Sequence, residues 1–76
     1  MSTDLTVKVL DESLGKQVLI KLKNGRVVRG TLRGYDEHMN LLLEKSEELS
    51  EDGSGHPLGL IILRGDNVVL ISPPQA

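Results

Sequence analysis

Two short segments of the chain concentrate side chains that can bind a flat, polar molecule. His38 and Asn40 stand in the first, YDEHMN at residues 35–40, and Arg64 opens the second, RGDN at residues 64–67. Imidazole and guanidinium groups are planar and can stack on the two faces of a heteroaromatic base. An asparagine amide carries one acceptor and two donors, which suit the carbonyl and the N–H on the edge of uracil. These residue types predict a site for an unpaired base.

Hydrogen bonds within the same segments are expected to orient the asparagine. Asp66 is expected to accept from the Asn40 amide, and Asp36 is expected to brace its own loop through backbone N–H groups. Hydrolysis is the rival chemistry for these carboxylates with His38, but no serine, cysteine or threonine is placed as a partner nucleophile. Their spacing also matches no metal-ligand pattern. We therefore expect no catalytic group, metal or cofactor. An ordinary surface histidine and turn asparagine are the alternatives to a binding site.

Predicted β-strands flank both segments. From residue 16 the apolar residues recur with a period of two, and Asn24 and Gly25 then give a strong hairpin signal because both tolerate positive φ. Gly30 and Gly34 share the apolar face of the next strand, which indicates a strand bent around a small barrel unless they are incidental weak points. The full prediction is a helix over residues 3–14, strands over 16–23, 26–35, 41–46, 58–63 and 68–71, a flexible loop over 50–57 and a turn over 64–67.

The size of the chain favours a single domain that needs support from other subunits. It has 76 residues, and a domain this small has a marginal core. The absence of cysteine excludes disulfides and thiolate metal sites, which leaves oligomerisation as the available support. An apolar last strand would also be exposed at the edge of an open barrel. Head-to-tail pairing of such edges between identical subunits removes them and can close a ring.

Charge and hydropathy argue against two classes of protein, those that bind nucleic-acid duplexes extensively and those that span a membrane. The formal net charge of −2 argues against extensive non-specific binding to duplexes, which needs many cationic contacts with phosphate. Basic residues are clustered in one stretch and acidic residues in another, so a local basic surface is still expected, unless both runs are simply solvated faces. No signal peptide and no apolar stretch near the length of a membrane span is present, so we expect a cytoplasmic protein without membrane contact. The clustered basic residues are Lys21, Lys23, Arg26, Arg29 and Arg33, and the acidic ones are Glu44, Glu47, Glu48, Glu51 and Asp52.

Taken together, the motifs resemble those of the Sm-like (LSm) family. Residues 15–49 resemble the first Sm motif and residues 60–72 the second, within one domain over residues 1–76. The first motif matches at Asn24, Gly25, Arg26, Gly30, Leu32, Tyr35, Asp36, His38, Met39, Asn40, Leu41 and Leu43, and the second at Leu63, Arg64, Gly65, Asp66, Asn67 and Val68. Leu63 stands where isoleucine is common in the family, and the acidic segment over residues 47–56 is variable in the family.

The resemblance implies the Sm fold and a ring. That fold is mainly β, with an N-terminal helix over a strongly bent, five-stranded antiparallel open barrel of the SH3-like kind. In such rings the fourth strand of one subunit pairs with the fifth strand of the next. The compact archaeal members form homoheptamers, so a heptamer is expected before the hexamer of bacterial Hfq.

The resemblance also implies a function. In the family, uracil stacks between the residues matching His38 and Arg64, while the residue matching Asn40 recognises its edge and the one matching Asp66 supports that asparagine. The expected partners are single-stranded, uridine-rich RNA, identical subunits and RNA-processing proteins, in RNA processing or ribonucleoprotein assembly. A protein-assembly scaffold with incidental RNA binding is the alternative. The predicted RNA-binding residues are His38, Met39, Asn40, Arg64, Gly65 and Asp66, with Asp36 and Asn67 as supports.

Overall fold

A short helix and five antiparallel strands make up the part of the chain that the structure describes. The computed structural model describes residues 2–74, with side chains from residue 5 onward. The strand order is β4-β3-β2-β1-β5, which leaves β4 and β5 as the two edges of one bent sheet. Among residues 2–74, no helix has the length and apolar character needed to cross a membrane. The elements are α1 Ser2–Ser13, β1 Gln17–Leu22, β2 Val27–Tyr35, β3 Leu41–Leu49, β4 Gly55–Leu63, a 3₁₀ turn Gly65–Asn67 and β5 Val68–Ser72.

The core lies on the inner face of the bent sheet. Its strand residues alternate with exposed ones, as in β1, where Val18 and Ile20 are buried and their neighbours are not. The helix contributes Leu10, which is 3% exposed. Each such side chain contributes about 1.5–3 kcal/mol when it is fully buried. The predicted period of two therefore corresponds to the inward face, whose buried residues are Leu10, Val18, Ile20, Val28, Leu32, Leu41 and Leu43.

The predicted bend of β2 is present, and one of the two glycines accounts for it. A Cβ added at Gly30 would lie 2.9 Å from the Cβ of Ser46, so β2 and β3 approach too closely there for any side chain. The pairing of β2 with β3 shifts register beside Gly30, and Lys45 takes a positive φ of 50°. Gly34 is different, because an added Cβ would meet only the Cβ of Leu42, at 4.0 Å. Close approach therefore requires glycine at position 30 and not at position 34.

The β1–β2 turn forms where it was predicted, with a different conformation. Gly25 has a positive φ of 88°, whereas Asn24 does not adopt one. The side-chain Oδ1 of Asn24 instead accepts a hydrogen bond from the Arg26 N–H at 2.9 Å. The N–H of Leu22 donates to the Arg26 carbonyl at 2.8 Å, so three residues, 23–25, form the loop.

The flexible loop predicted over residues 50–57 is wrong in its second half. β4 begins at Gly55, which pairs with Leu49 at the end of β3. The connection is a tight turn in which the Ser50 N–H donates to the Ser54 carbonyl at 2.8 Å. The glycine, serine and proline content of this segment indicated a loop, but pairing with the extended end of β3 provides hydrogen-bond partners for its backbone.

Most of the clustered basic charge is neutralised by ion pairs across β2 and β3. The shortest joins Arg29 Nη2 to Glu47 Oε2 at 2.8 Å. The expected basic surface is therefore largely absent along β2. Because these side chains are partly exposed, each pair contributes only about 0–1 kcal/mol to stability, and its main effect is on surface charge. The other two pairs, at 3.2 Å and 2.9 Å, are Arg26–Glu48 and Arg33–Glu44.

Both edge strands expose large apolar side chains. On β4, Leu60 is 68% exposed and Ile62 is 70% exposed, and on β5, Val69 is 60% and Leu70 is 55% exposed. Unpaired strand edges with apolar side chains tend to pair with further strands. The monomer therefore has two edges suited to association.

Candidate nucleic-acid interface

The loop after β2 and the turn after β4 meet at one end of the barrel. Gly65 packs so closely on the β2–β3 loop that an added Cβ would lie 2.1 Å from the carbonyl oxygen of His38 and 2.9 Å from the carbonyl carbon of Met39. The Gly65 N–H donates to Oδ1 of Asn40 at 2.8 Å. Only glycine leaves room for this contact. The two segments singled out in the sequence are thus brought together, and the backbone of one holds a side chain of the other.

Asp36 organises the β2–β3 loop from within. Its Oδ1 accepts the backbone N–H groups of His38 at 2.9 Å and Asn40 at 3.0 Å, and its Oδ2 accepts from Nδ2 of Asn40 at 2.9 Å. The side-chain bond from Asn40, followed by the backbone bond from Asn40, holds the pKa of the Asp36 carboxyl below its ordinary value. The carboxylate therefore fixes both the loop backbone and the asparagine amide.

Asp66 does not take the orienting role expected of it. The Asn40 amide nitrogen donates to Asp36, and the Asp66 carboxylate lies 3.9 Å from Nε of Arg64. The physical reason is local: Asp36 stands four residues before Asn40 in the same tight loop, and Gly65 already occupies the oxygen side of the amide. The signal that identifies Asp36 in the sequence is the tendency of aspartate in a turn to bond the backbone two residues later.

The amide of Asn40 can point in only one direction. Reversing it would set its NH₂ against the Gly65 N–H and its oxygen against the Asp36 carboxylate, and both contacts would be repulsive. In the orientation observed, one amide N–H and one lone pair on Oδ1 stay unused. Asn40 therefore presents one donor and one acceptor, the complement of a carbonyl beside an N–H.

Two planar, exposed side chains flank this amide. The side chains of His38 and Arg64 are each 76% exposed, and their contacts with carboxylates are loose, at 3.5 Å from Glu37 and 3.9 Å from Asp66. Both groups are free to turn onto a planar ligand. No group of three or more histidine, aspartate or glutamate side chains suited to a metal ion occurs among the residues that the structure describes. The open cleft is lined by His38, Met39, Asn40, Arg64, Gly65 and Asp66.

Met39 and Asn67 position the loops. Met39 has a positive φ of 64° and packs partly against the hydrophobic core, so it anchors the β2–β3 loop while also bordering the cleft. Asn67 acts through its backbone: its carbonyl accepts the Lys23 N–H at 2.8 Å, and its N–H donates to the Arg64 carbonyl at 3.0 Å. The turn after β4 is thereby tied to the β1–β2 turn.

A helix-to-sheet hydrogen bond, missed in the sequence, supports the start of the same loop. The hydroxyl of Tyr35, the last residue of β2, donates to Oδ1 of Asp11 on α1. This bond, ahead of desolvation and the negative charge of Asp11, raises the pKa of Tyr35. The two residues lie 24 positions apart, and their spacing carries no signal that they meet.

Comparison with known proteins gives consistent matches over most of the chain. The family model described as LSM domain matches residues 8–73. An snRNP Sm-like protein of Archaeoglobus fulgidus is 48% identical over 65 residues, which cover 86% of this chain and 84% of the relative. One of Methanococcoides burtonii is 45% identical over 65 residues, which cover 86% of this chain and 90% of the relative.

Solved structures agree with the fold described above. A heptameric archaeal Sm protein superposes with a TM-score of 0.84 at 46% identity, covering 90% of this chain and 98% of that protein. The Sm protein of Pyrococcus abyssii, solved in complex with a uridine heptamer, gives a TM-score of 0.83 at 43% identity, covering 90% of this chain and 96% of that protein. These matches confirm the Sm fold, and the chain belongs to the LSM domain family of Sm-like proteins.

Proposed function

We propose that this chain forms a ring of seven identical subunits that binds single-stranded, uridine-rich RNA. The heptameric archaeal Sm protein supports the assembly, because it shares 46% of its residues with this chain and the same fold. The exposed apolar edges of β4 and β5 support it as well, since the β4 of one subunit can pair with the β5 of the next. The uridine heptamer bound to the similar Pyrococcus abyssii protein supports the choice of RNA.

The observation that carries the proposal is the fixed amide of Asn40 between two exposed planar groups. In the proposed complex, His38 and Arg64 stack on the two faces of one uracil while Asn40 pairs with its edge. Base stacking contributes about 1–3 kcal/mol per base. A ring repeats the cleft once per subunit, and linked weak sites gain from effective concentration. Strong binding then requires no large basic surface.

The proposal also states that the protein is not an enzyme, which process it serves and in which compartment it acts. The family is one of RNA-binding proteins, and we infer that this member is not an enzyme and acts in RNA processing or ribonucleoprotein assembly. Residues 1–76 would act as one RNA-binding unit, in the cytoplasm, together with RNA-processing proteins. Binding and assembly, rather than bond cleavage, are then the properties to measure.

The test compares two RNA sequences and one variant. Fluorescent oligo-U and oligo-A are titrated with the wild type and with Asn40→Ala, and native mass spectrometry counts subunits and bound RNA. We expect seven subunits, a preference of the wild type for oligo-U, and loss of that preference in Asn40→Ala. Equal affinity for both RNAs, unchanged by the substitution, would refute base recognition. An intact ring without RNA affinity at moderate salt would favour the protein-assembly scaffold instead.

A further inference from the structure

Met39 lies between two clefts of the molecule. On one side it lines the cleft of Asn40, to which His38 and Arg64 also belong. On the other side it lines the helix cleft, a mainly apolar cleft between α1 and the end of β5 that includes Ile71. The side chain of Met39 is half-buried and packs against the hydrophobic core. A change in the polarity of this one side chain therefore affects core packing and the cleft of Asn40 together.

The backbone of Met39 is held on both sides, so the residue cannot move independently of its neighbours. Its N–H donates to the carbonyl of Asp36 at 3.1 Å, and its φ of 64° lies in the left-handed region, which residues other than glycine rarely adopt. Gly65 packs so closely that an added Cβ there would lie 2.9 Å from the carbonyl carbon of Met39. Gly65 also holds the oxygen of the Asn40 amide. A displacement of Met39 therefore disturbs the contact that orients Asn40.

The thioether of Met39 is open to oxidation. The chain has no cysteine and two methionines, Met39 and Met1, of which Met1 lies outside the described residues. Hydrogen peroxide transfers one oxygen atom to a thioether sulfur: the O–O bond breaks, an S–O bond forms and water leaves. The sulfur loses two electrons and the peroxide gains them. The product, methionine sulfoxide, is a polar group where the thioether was apolar.

The surroundings of Met39 are poorly suited to a sulfoxide oxygen. The helix cleft is lined by apolar side chains such as Leu10 and Ile71, and the hydroxyl of Ser13 in that cleft already donates to the Val9 carbonyl at 2.8 Å. A polar group without a hydrogen-bond partner in apolar surroundings is destabilising, so the oxidised side chain must turn away or shift the loop. If it turns away, its oxygen enters the cleft of Asn40, where a uracil is proposed to bind. Either movement disturbs base binding.

We propose that Met39 is a site of oxidation to the sulfoxide and that this modification weakens the binding of uridine-rich RNA. The proposal rests on the proposed function and adds regulation of the same cleft by peroxides. Because sulfoxide reductases restore the thioether, the modification is reversible.

The test compares the wild type with Met39→Leu, which keeps an apolar side chain of similar volume and has no sulfur at this position. Both rings are treated with hydrogen peroxide, and peptide mass spectrometry locates each added oxygen. Met1 is present in both proteins and serves as the internal control for oxidation elsewhere. Oligo-U affinity is measured before and after treatment, so each protein provides its own baseline.

We expect treatment to raise the Kd of the wild type for oligo-U by at least about tenfold, which is about 1.4 kcal/mol. The Kd of Met39→Leu should be the same before and after treatment. A second variant, Met39→Gln, is polar at this position without oxidation and should bind oligo-U more weakly than Met39→Leu. Native mass spectrometry shows whether each ring is intact.

The outcomes separate this proposal from the proposed function. The oxidation site is overturned if Met39 stays reduced while Met1 is oxidised, or if the wild type with oxidised Met39 keeps its affinity. It is also overturned if Met39→Leu loses as much affinity on treatment as the wild type, or if oxidation acts by breaking the ring. Base recognition stands in each of these cases, provided that Asn40→Ala abolishes the preference for oligo-U. If Asn40→Ala has no effect on binding, base recognition fails and this proposal fails with it.

Discussion

Replacing Gly65 by alanine tests the contact that joins the two loops of the cleft lined by His38, Asn40 and Arg64. The added Cβ would stand 2.1 Å from the carbonyl oxygen of His38, well inside ordinary contact distance. Gly65 has no positive φ that would strain an alanine backbone, so the effect of the substitution comes from space alone. We expect Gly65→Ala to keep the barrel and to lose RNA affinity.

The size of the effect follows from the distances. The loops must part by about 1 Å for the new Cβ to reach van der Waals separation. The bond between the Gly65 N–H and Asn40 Oδ1, now 2.8 Å long, would then exceed hydrogen-bond range. A lost hydrogen bond costs about 0.5–1.5 kcal/mol, and a misdirected amide forfeits part of the base contact as well. We expect about 1–3 kcal/mol for each occupied site, which is roughly a 5- to 150-fold loss of affinity per bound base.

Gly34→Ala is the matched control. It makes the same chemical change on β2, where the atom nearest to the new Cβ is the Cβ of Leu42, at an ordinary contact distance of 4.0 Å. Both variants are titrated with fluorescent oligo-U, and native mass spectrometry confirms the ring. The reasoning is refuted if Gly65→Ala binds oligo-U like the wild type, or if Gly34→Ala with an intact ring loses as much affinity.

Three further predictions concern pH and stability. The Asp36 pKa is lowered in the folded state from its ordinary value of 3.8, so its hydrogen bonds to Asn40 stabilise the fold above that pH. This contribution disappears as pH falls through the folded pKa. Denaturant unfolding between about pH 6 and pH 2 should show this loss in the wild type and less of it in Asp36→Asn; equal profiles would contradict it. Gly30→Val should destabilise by about 1–3 kcal/mol, because an added Cβ meets that of Ser46 at 2.9 Å; an unchanged Tm would contradict this. Leu32→Ala, at a fully buried position, should cost about 2–5 kcal/mol in denaturant unfolding, and a cost below about 1 kcal/mol would show that the core is not packed as described.

The sequence predicted the parts of the fold that depend on local pattern. Alternating apolar residues located β1, and Gly30 indicated the bend that its contact with Ser46 confirms. Local pattern failed where pairing between strands determines the structure. The residues around Gly55 have the composition of a loop, but β4 begins there because β3 extends beside it and Gly55 pairs with Leu49. The conformation of a segment with weak preferences is decided by its neighbour in the sheet.

For the candidate site, the sequence likewise predicted which residues take part but not which of them contact each other. Residue chemistry pointed to His38, Asn40 and Arg64, and the fold brings them to one cleft. The partner of the amide was assigned to Asp66, across the cleft, although Asp36 in the same loop makes the bond. Hydrogen-bond partners depend on ångström-scale loop geometry, which residue types alone do not contain.

The ion pairs that the glutamates of β3 make have a consequence for the proposed selectivity of RNA binding. Glu44, Glu47 and Glu48 do not line the cleft of Asn40, and each one is paired with an arginine. A mutation that neutralises one of these glutamates would leave its arginine unpaired in every subunit. The arginine would then attract any polyanion, whatever its bases. Under the proposed function, the carboxylates of β3 thus limit RNA binding that does not depend on the identity of the bases.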